Sequence, residues 1–225
     1  MEKSYWHGRW ERHETGWHQS EVEPGLIAYF SGMSPTRIFV PLCGKSMDLA
    51  WLASQGHEVV GVELSSVACQ LFFEESKIPY QKSQDTKFTL YQSTDPTHKV
   101  TLLNGDFFDL QDFDLTQIGA VYDRAALIAL PLQMRVAYAS SLCQLIRKYA
   151  DPHSFVFLQI VLDRTPPDLN GPPFSISDSE LKSLYGKDFE ITLLSRETVD
   201  MGDSNLNQTE ECVYQMRLAN EDFGN

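Results

Sequence analysis

Apolar positions along the chain alternate between short continuous runs and stripes spaced at i, i+3, i+4. The run Arg-Ile-Phe-Val-Pro-Leu at 37–42 predicts a first buried strand, broken by Gly44. Over 47–54, Leu49, Leu52 and Ala53 share one helical face, and Gly56 marks the stop. Residues 58–64 predict a second strand. Ser65 can cap a following helix whose Ala68, Leu71 and Phe72 form a stripe before Pro79 ends it. Residues 88–92 form a short excursion, 100–103 a third strand and 120–122 a fourth. Pro131 suits the first turn of a long helix with Met134, Ala137, Tyr138, Leu142, Leu145, Ile146 and Tyr149 on its buried face. A nearly all-apolar fifth strand follows at 155–162. Ser177-Asp178-Ser179-Glu180 then has the form of a capping box, opening a helix that ends at Gly186. The last strands, near 190–195 and 212–218, can pair as an antiparallel hairpin. The leader holds Trp6, Trp10, Trp17 and Phe30, and helices are expected there with Leu26, Ile27 and Phe30 facing inward.

This alternation predicts an α/β fold: a doubly wound, mostly parallel sheet of seven strands behind an N-terminal helical segment, which the resemblance given below makes a lid. Nothing in the middle of the chain has the composition of a linker. A single domain over 1–225 is expected, with the lid at 1–33 and the core at 37–218. With 225 residues and 42% hydrophobic composition, one domain can bury a full core.

Charge narrows the partners. Eighteen Lys and Arg against 31 Asp and Glu leave a formal net charge of −13. Such a surface repels phosphate backbones and anionic lipid, so a small-molecule partner is expected, with neither nucleic acid nor membrane. No stretch approaches the ~20 apolar residues of a membrane span, and the N-terminus lacks the apolar core of a signal peptide. Cys43, Cys69, Cys143 and Cys212 form no C-x-x-C pair, so reduced thiols and a cytoplasmic location are expected. The six histidines show no metal-ligand spacing, and no metal is expected. Asn207-Gln208-Thr209 matches a glycosylation sequon, which carries little without a secretion signal. A monomer is expected.

In a doubly wound sheet the ligand lies beyond the carboxyl ends of the strands. That places Pro41-Leu42-Cys43-Gly44-Lys45-Ser46 at the ligand, with Gly44 permitting close backbone approach; a plain strand-to-helix turn is the alternative. A P-loop needs glycine where this chain has Phe39, and a dinucleotide fingerprint needs three spaced glycines where only Gly44 is present. Cys43 has no nearby histidine to activate it and reads as a small apolar loop residue. Glu63 ends the second strand near the offset of an acidic residue that grips ribose hydroxyls; a solvated strand-end carboxylate is the alternative. In Gly105-Asp106-Phe107-Phe108, Asp106 can reach an adenine amino group while Phe107 covers the ring, or both can belong to a turn beside the core. Asp123 and Arg124, at the end of the fourth strand, would border the reacting centre, or form a structural ion pair. Asn170-Gly171-Pro172-Pro173-Phe174 has the look of the amino-group DNA methyltransferase element. It follows the fifth strand instead of the fourth, and the acidic surface opposes that reading.

Taken together, these motifs resemble the thiopurine S-methyltransferases, particularly their bacterial members. The resemblance rests on Trp6-x-x-x-Trp10, Gly16-Trp17-His18, Pro41 to Ser46, Leu49-Ala50-Trp51-Leu52-Ala53, Gly61-Val62-Glu63-Leu64-Ser65, Gly105 to Phe108, the run Tyr122 to Pro131, and Gly171-Pro172-Pro173-Phe174. It implies a sheet of the class I S-adenosylmethionine-dependent methyltransferase type. It further implies S-adenosylmethionine as cofactor, held by Trp6, Trp10, Leu42, Glu63 and Arg124, with Asp106 and Phe107 at the adenine. By the same resemblance Trp17 contacts acceptor and cofactor; from their place at the end of the fourth strand, Arg124 and Asp123 are the candidate catalytic residues. For Trp10 and Trp17, composition alone favours core packing.

The implied reaction is methylation of a small aromatic or heterocyclic thiol, with selenium or tellurium compounds as the nearest variant. An NAD-dependent oxidoreductase and an inactive S-adenosylmethionine-binding module are the readings from other classes. One departure stands out: some relatives carry a basic residue and a tryptophan near the acceptor between the last two strands. Here 198–211 contains neither Arg, Lys nor Trp.

Overall fold

A computed structural model describes residues 3–151, 153–166, 171–200 and 208–219. The Asn207 sequon position, Asn170 and residues 201–207 of the last inter-strand loop lie outside these. Contacts divide the chain into two compact units, 1–122 and 123–225.

The first unit opens with α1 (Lys3–Glu11) and α2 (Pro24–Phe30). It continues through β1 (Arg37–Val40), α3 (Met47–Ser54), β2 (Glu58–Glu63) and α4 (Ser66–Ser76). A hairpin of β3 (Tyr80–Gln84) and β4 (Thr89–Ser93) follows, then β5 (Val100–Asn104), a 3-10 turn at Phe107–Asp112, and the start of β6 (Ile118–Arg124). The strand order is β3-β4-β5-β2-β1-β6. β1 pairs in parallel with β2 (Ile38 opposite Val59) and with β6 (Phe39 opposite Val121), and β2 pairs in parallel with β5 (Val60 opposite Thr101). Ile38, Phe39 and Val40 are all buried, as an unbroken apolar run requires of a strand covered on both faces. Ser46 and Ser65 accept the backbone N–H of Asp48 and Ala68 and so cap α3 and α4.

Buried polar bonds fasten the leader to this sheet. The Asp48 carboxylate on α3 is 2% exposed; it accepts the Glu23 backbone N–H at 2.9 Å and the Tyr122 hydroxyl at 2.8 Å. One side chain therefore fixes the entry to α2 and the end of the unit's last strand. Leu26 and Phe30 are buried as expected, but Ile27 is 40% exposed, because α2 is only two turns long and its covered face takes Leu26 and Phe30 alone.

The second unit holds α5 (Ala126–Ala129), α6 (Leu132–Tyr149), β7 (Val156–Thr165), α7 (Asp178–Tyr185), β8 (Phe189–Val199) and β9 (Gln208–Leu218). β9 lies between β7 and β8 and is antiparallel to both, with Ile160 opposite Val213 and Arg196 opposite Cys212. Phe157, Tyr185 and Phe189 meet edge to face in its core.

Three expectations need correction. Nine strands form among the described residues, not seven. The two extra ones are the β3–β4 hairpin, antiparallel to each other and, through β4, to β5. β3 is polar and mostly exposed, so no apolar run announced it. Leu42 lies outside β1, at a φ of 46°, where the chain already turns into the loop. On α6 the buried face carries Arg135 while Ala137 is exposed, and Met134 and Tyr149 are only half-buried. Arg135 turns inward because its guanidinium finds acceptors: Leu130 O at 2.8 Å, Ser175 O at 3.4 Å and the Glu180 carboxylate at 2.6 Å. It also lies over the Phe174 ring, and the Phe174 N–H donates to Ile128 O. Glu180 is thereby drawn to Arg135, while Ser177 still accepts the Glu180 N–H as helix cap.

Asp48→Ala removes the acceptor for two buried donors and should cost about 2–4 kcal/mol. Urea denaturation against wild type measures this; a loss below ~1 kcal/mol would remove Asp48 from the role of anchor.

Candidate active site

Every loop at the carboxyl ends of β1, β2 and β5 converges on Glu63. Its side chain is 6% exposed. One carboxylate oxygen accepts the Gly44 N–H at 2.9 Å from the loop after β1, and the other accepts the Ser65 N–H at 2.7 Å from the loop after β2. The Glu63 carbonyl accepts from Gly105 N–H and from the Asn104 side-chain amide, which also donates to Leu64 O. The Cys43 N–H donates to Val62 O. A carboxylate offers about four acceptor positions, so two remain after the two backbone bonds. Burial pushes Glu63 up to about 7, against the lowering effect of the backbone donors of Ser65 and Gly44.

The first loop is shaped by what it must avoid. Leu42 and Gly44 both hold positive φ, 46° and 56°. The Leu42 backbone stores strain of order 1–3 kcal/mol, of the kind held at ligand-binding loops. A Cβ on Gly44 would meet the Trp10 ring at 3.3 Å, so Trp10 lies directly against the bare loop backbone. On β2, a Cβ on Gly61 would stand 2.6 Å from Cys43 Sγ and 2.8 Å from Leu102 Cδ2. Cys43 thus fills the space that Gly61 leaves, and its thiol is held well above its ordinary value by burial and by the charge of Glu63.

α1 brings the aromatic residues together. Trp17 makes edge contacts with Trp6 (centroids 5.3 Å apart) and Trp10 (5.6 Å), and Tyr5 extends the cluster through Trp6. The Arg9 guanidinium lies over Trp17 at 5.0 Å and donates to the Tyr5 hydroxyl. Trp10 is buried, while Trp6 and Trp17 are half-buried. Asp106 caps the Phe107–Asp112 turn by accepting Phe108 N–H, and its second oxygen pairs with the Lys3 ammonium at 2.5 Å. That bond raises the Lys3 ammonium above its ordinary value. Phe107 is buried and packs on Phe108.

Six sequence-selected residues, Trp6, Trp10, Leu42, Glu63, Asp106 and Phe107, therefore lie in the first unit, and Trp17 joins the tryptophan cluster there. Sequence reading missed Lys3 and Asn104, and took Gly61 only as part of a motif, without its packing against Cys43. Only Asn104, a polar residue ending a buried strand, carried a signal that could have been read.

Asp123 and Arg124 belong to the second unit. Asp123 is fully buried; its carboxylate accepts the Tyr138 hydroxyl at 2.6 Å and the Ala126 N–H at 3.2 Å. Its carbonyl accepts the Gln159 side-chain amide at 3.0 Å. Burial pushes Asp123 up to about 6, opposed by those donors. Arg124 is half-buried, and Ala125 after it holds a φ of 73°. Arg196 on β8, two residues before the stretch that lacks basic residues, is already paired with Asp178 (2.6 Å), Glu210 (2.7 Å) and Asp163 (3.4 Å). No helix among the described residues is long and apolar enough to cross a membrane, and no metal-binding cluster occurs among them.

Comparison with known proteins finds relatives over most of the chain. The family model described as Thiopurine S-methyltransferase (TPMT) matches residues 1–219. A thiopurine S-methyltransferase of Shewanella sp. (strain MR-4) is 40% identical over 202 residues, covering 88% of each chain. Its counterpart in Pseudomonas fluorescens (strain Pf0-1) is 38% identical over 226 residues, 96% of this chain and 99% of that one. Among solved structures, the 1,6-didemethyltoxoflavin-N1-methyltransferase of Burkholderia thailandensis superposes with a TM-score of 0.66 at 15% identity, covering 96% of this chain and 87% of that one. Magnesium protoporphyrin IX methyltransferase of Synechocystis PCC 6803, solved with bound S-adenosylhomocysteine, superposes with a TM-score of 0.60 at 13% identity, covering 94% and 99%. The fold is that of the S-adenosylmethionine-dependent methyltransferases.

Gly61→Ala should force Cys43 out of place and lower stability by about 1–3 kcal/mol, the usual range for overpacking. Adding Cys43→Ala should recover part of that loss, read as the thermal midpoint of the double variant against the single. No recovery would show that Cys43 does not depend on the Gly61 gap.

Proposed function

The chain belongs to the thiopurine S-methyltransferase family, and we propose that it methylates the sulfur of small aromatic or heterocyclic thiols. It is an S-adenosylmethionine-dependent methyltransferase acting on a small molecule. The observation that carries the proposal is the Glu63 centre: a buried carboxylate with two acceptor positions left, beside a glycine backbone kept bare. That arrangement fits a ribose diol, and Asp106 adds an acceptor suited to an adenine amino group. S-adenosylmethionine, when bound, supplies an electrophilic methyl group.

On this reading Glu63 holds the ribose, Asp106 and Phe107 take the adenine, and Trp6, Trp10 and Leu42 enclose the remainder. Trp17 contributes an aromatic wall toward the acceptor. Arg124 contributes positive charge that favours an anionic acceptor, together with a planar fork that Lys lacks. The residues of this reading include no histidine to remove a proton from a neutral alcohol or amine. A low-pKa thiol needs none, since it is already ionised near neutrality. Orientation and exclusion of water then carry the rate, effects that reach ~7–11 kcal/mol in well-aligned systems. Selenols and tellurols share this softness and fall within the proposed class. The four cysteines, all buried and free, favour a reducing cytoplasm.

Cofactor binding should report the Glu63 proton. Its folded pKa of about 7 lies above the ordinary carboxylate value, so the folded protein holds that proton more tightly than the unfolded chain. Hence Glu63 weakens the fold progressively as pH rises toward 7, while hydroxyl donors require the ionised form. S-adenosylhomocysteine should accordingly bind less tightly below pH ~7, by at most about tenfold per unit, with proton release visible by calorimetry in buffers of different ionisation enthalpy. Glu63→Ala should weaken binding about ten- to 150-fold. Unchanged affinity in a folded variant would remove Glu63 from the ribose.

Acceptor chemistry is tested with thiols of graded pKa beside matched phenols, anilines and selenols. A general base contributes ~10²–10⁴-fold, so acceptors that need one should be turned over poorly. For thiols, kcat/KM should follow the acceptor's own pKa. If phenols win, or the pH midpoint stays fixed as the thiol pKa moves, the soft-nucleophile proposal fails.

A further inference from the structure

Asp123, the last residue but one of β6, has no exposed surface, and every polar atom of its side chain and its carbonyl is engaged within its own unit. Such a carboxylate cannot touch an acceptor. What it does instead is pin both ends of a short turn. Its carbonyl is fixed by Gln159 on β7, and one carboxylate oxygen is fixed by Tyr138 on α6. The other oxygen then reaches across two residues to hold the Ala126 N–H at the start of α5. Between these two fixed points lie only Arg124 and Ala125.

The turn needs this restraint, because Ala125 is held at a φ of 73°, a left-handed conformation that a side chain disfavours. Without an acceptor on Ala126 N–H, the backbone at Ala125 would relax and redirect Arg124. At about 6, the raised value of Asp123 still leaves it ionised at neutrality, so both oxygens can accept at once.

We infer that Asp123 and Tyr138 are positioning residues for Arg124, the Tyr138–Asp123–Ala126 chain fixing the backbone from which its guanidinium projects. The inference rests on the proposed role of Arg124 in turnover. It moves Asp123 from a catalytic to a positioning role and gives Tyr138, otherwise a core aromatic of α6, a function through its hydroxyl.

Turnover of an aromatic thiol with S-adenosylmethionine is measured for Tyr138→Phe, Asp123→Asn, Ala125→Gly and Arg124→Gln, and for each of the first three combined with Arg124→Gln. Misplacing a catalytic group by about 1 Å can cost 10²-fold, so kcat in Tyr138→Phe and Asp123→Asn should fall roughly ten- to 100-fold. The KM for thiol and the thermal midpoint of Tyr138→Phe should change much less. Ala125→Gly removes the penalty on the left-handed φ, so its midpoint and kcat should hold, and added to Tyr138→Phe it should restore part of the lost kcat, a rescue that a purely structural role does not produce. In the Arg124→Gln background none of the three should lower kcat further. Tyr138→Phe removes a single oxygen and carries the test if Asp123→Asn does not fold.

Losses that add in full to that of a crippled Arg124→Gln would overturn the positioning role and leave the family reaction standing. An Arg124→Gln enzyme with wild-type kcat would overturn both the positioning role and the assigned part of Arg124.

Discussion

A carboxylate buried at a strand end and partly ionised is the constraint around which the first unit is arranged. Glu63 is taken out of water at the end of β2, which raises its pKa, and two backbone N–H groups hold it partly ionised. Those donors come from Gly44 and Ser65, so the same bonds that stabilise the charge also knit the loops after β1 and β2 together. Asn104 and Gly105 extend the knot to β5 through the Glu63 carbonyl. Parallel strands make this possible: their carboxyl ends lie side by side, so three loops meet one residue without a long connection. Gly61, one turn of the pleat earlier, has no side chain because Cys43 occupies its place. A loop so determined leaves few free choices for the residues that face a ligand.

Much of this was legible in the sequence, and what was not has a physical reason. The central parallel strands and the caps at Ser65 and Ser177 were readable because one-dimensional patterns mirror their local physics directly: apolar runs for strands buried on both faces, hydroxyls before helical stripes. Glu63 and Asp106 could be set beside loops because a strand end fixes where a loop begins, whereas the tryptophans were singled out by the family resemblance, composition alone favouring core packing for Trp10 and Trp17. The β3–β4 hairpin escaped because an edge strand with one polar face lacks the apolar run that announces burial. Arg135 and Ala137 exchanged places on α6 because an arginine enters a core when acceptors await it, and Leu130, Ser175 and Glu180 come from other parts of the chain. Periodicity cannot register a partner 45 residues away.

The leader shows the same division. Its aromatic content was evident, but the manner of its attachment was not. Trp10 seats on the bare Gly44 backbone, Trp17 bridges Trp10 and Trp6, and Lys3 reaches the carboxylate of Asp106. Two kinds of contact are at work, and they differ in permanence. Buried tryptophan packing resists salt and is lost only by moving the helix. The Lys3 ammonium is mostly exposed, so its ion pair contributes little to stability and is readily screened. The carboxylate that it neutralises is therefore held closed by a weak bond and remains open to exchange for another donor.

Each unit buries one carboxylate with a single donor on each oxygen, and the two differ in what those donors hold and in how much surface remains. Glu63 spends one acceptor position per oxygen on backbone and keeps the rest, which suits a group meant to receive hydroxyls. Asp123 gives one oxygen to a tyrosine hydroxyl and the other to a helix N-terminal N–H, and lies wholly inside. Both groups are raised by the same cause, loss of water, to about 7 and about 6. A raised value by itself therefore does not mark a catalytic group here. On the proposed reading, what separates the two is not the number of bonds but residual exposure, 6% at Glu63 and none at Asp123, and positive charge toward the acceptor is left to Arg124.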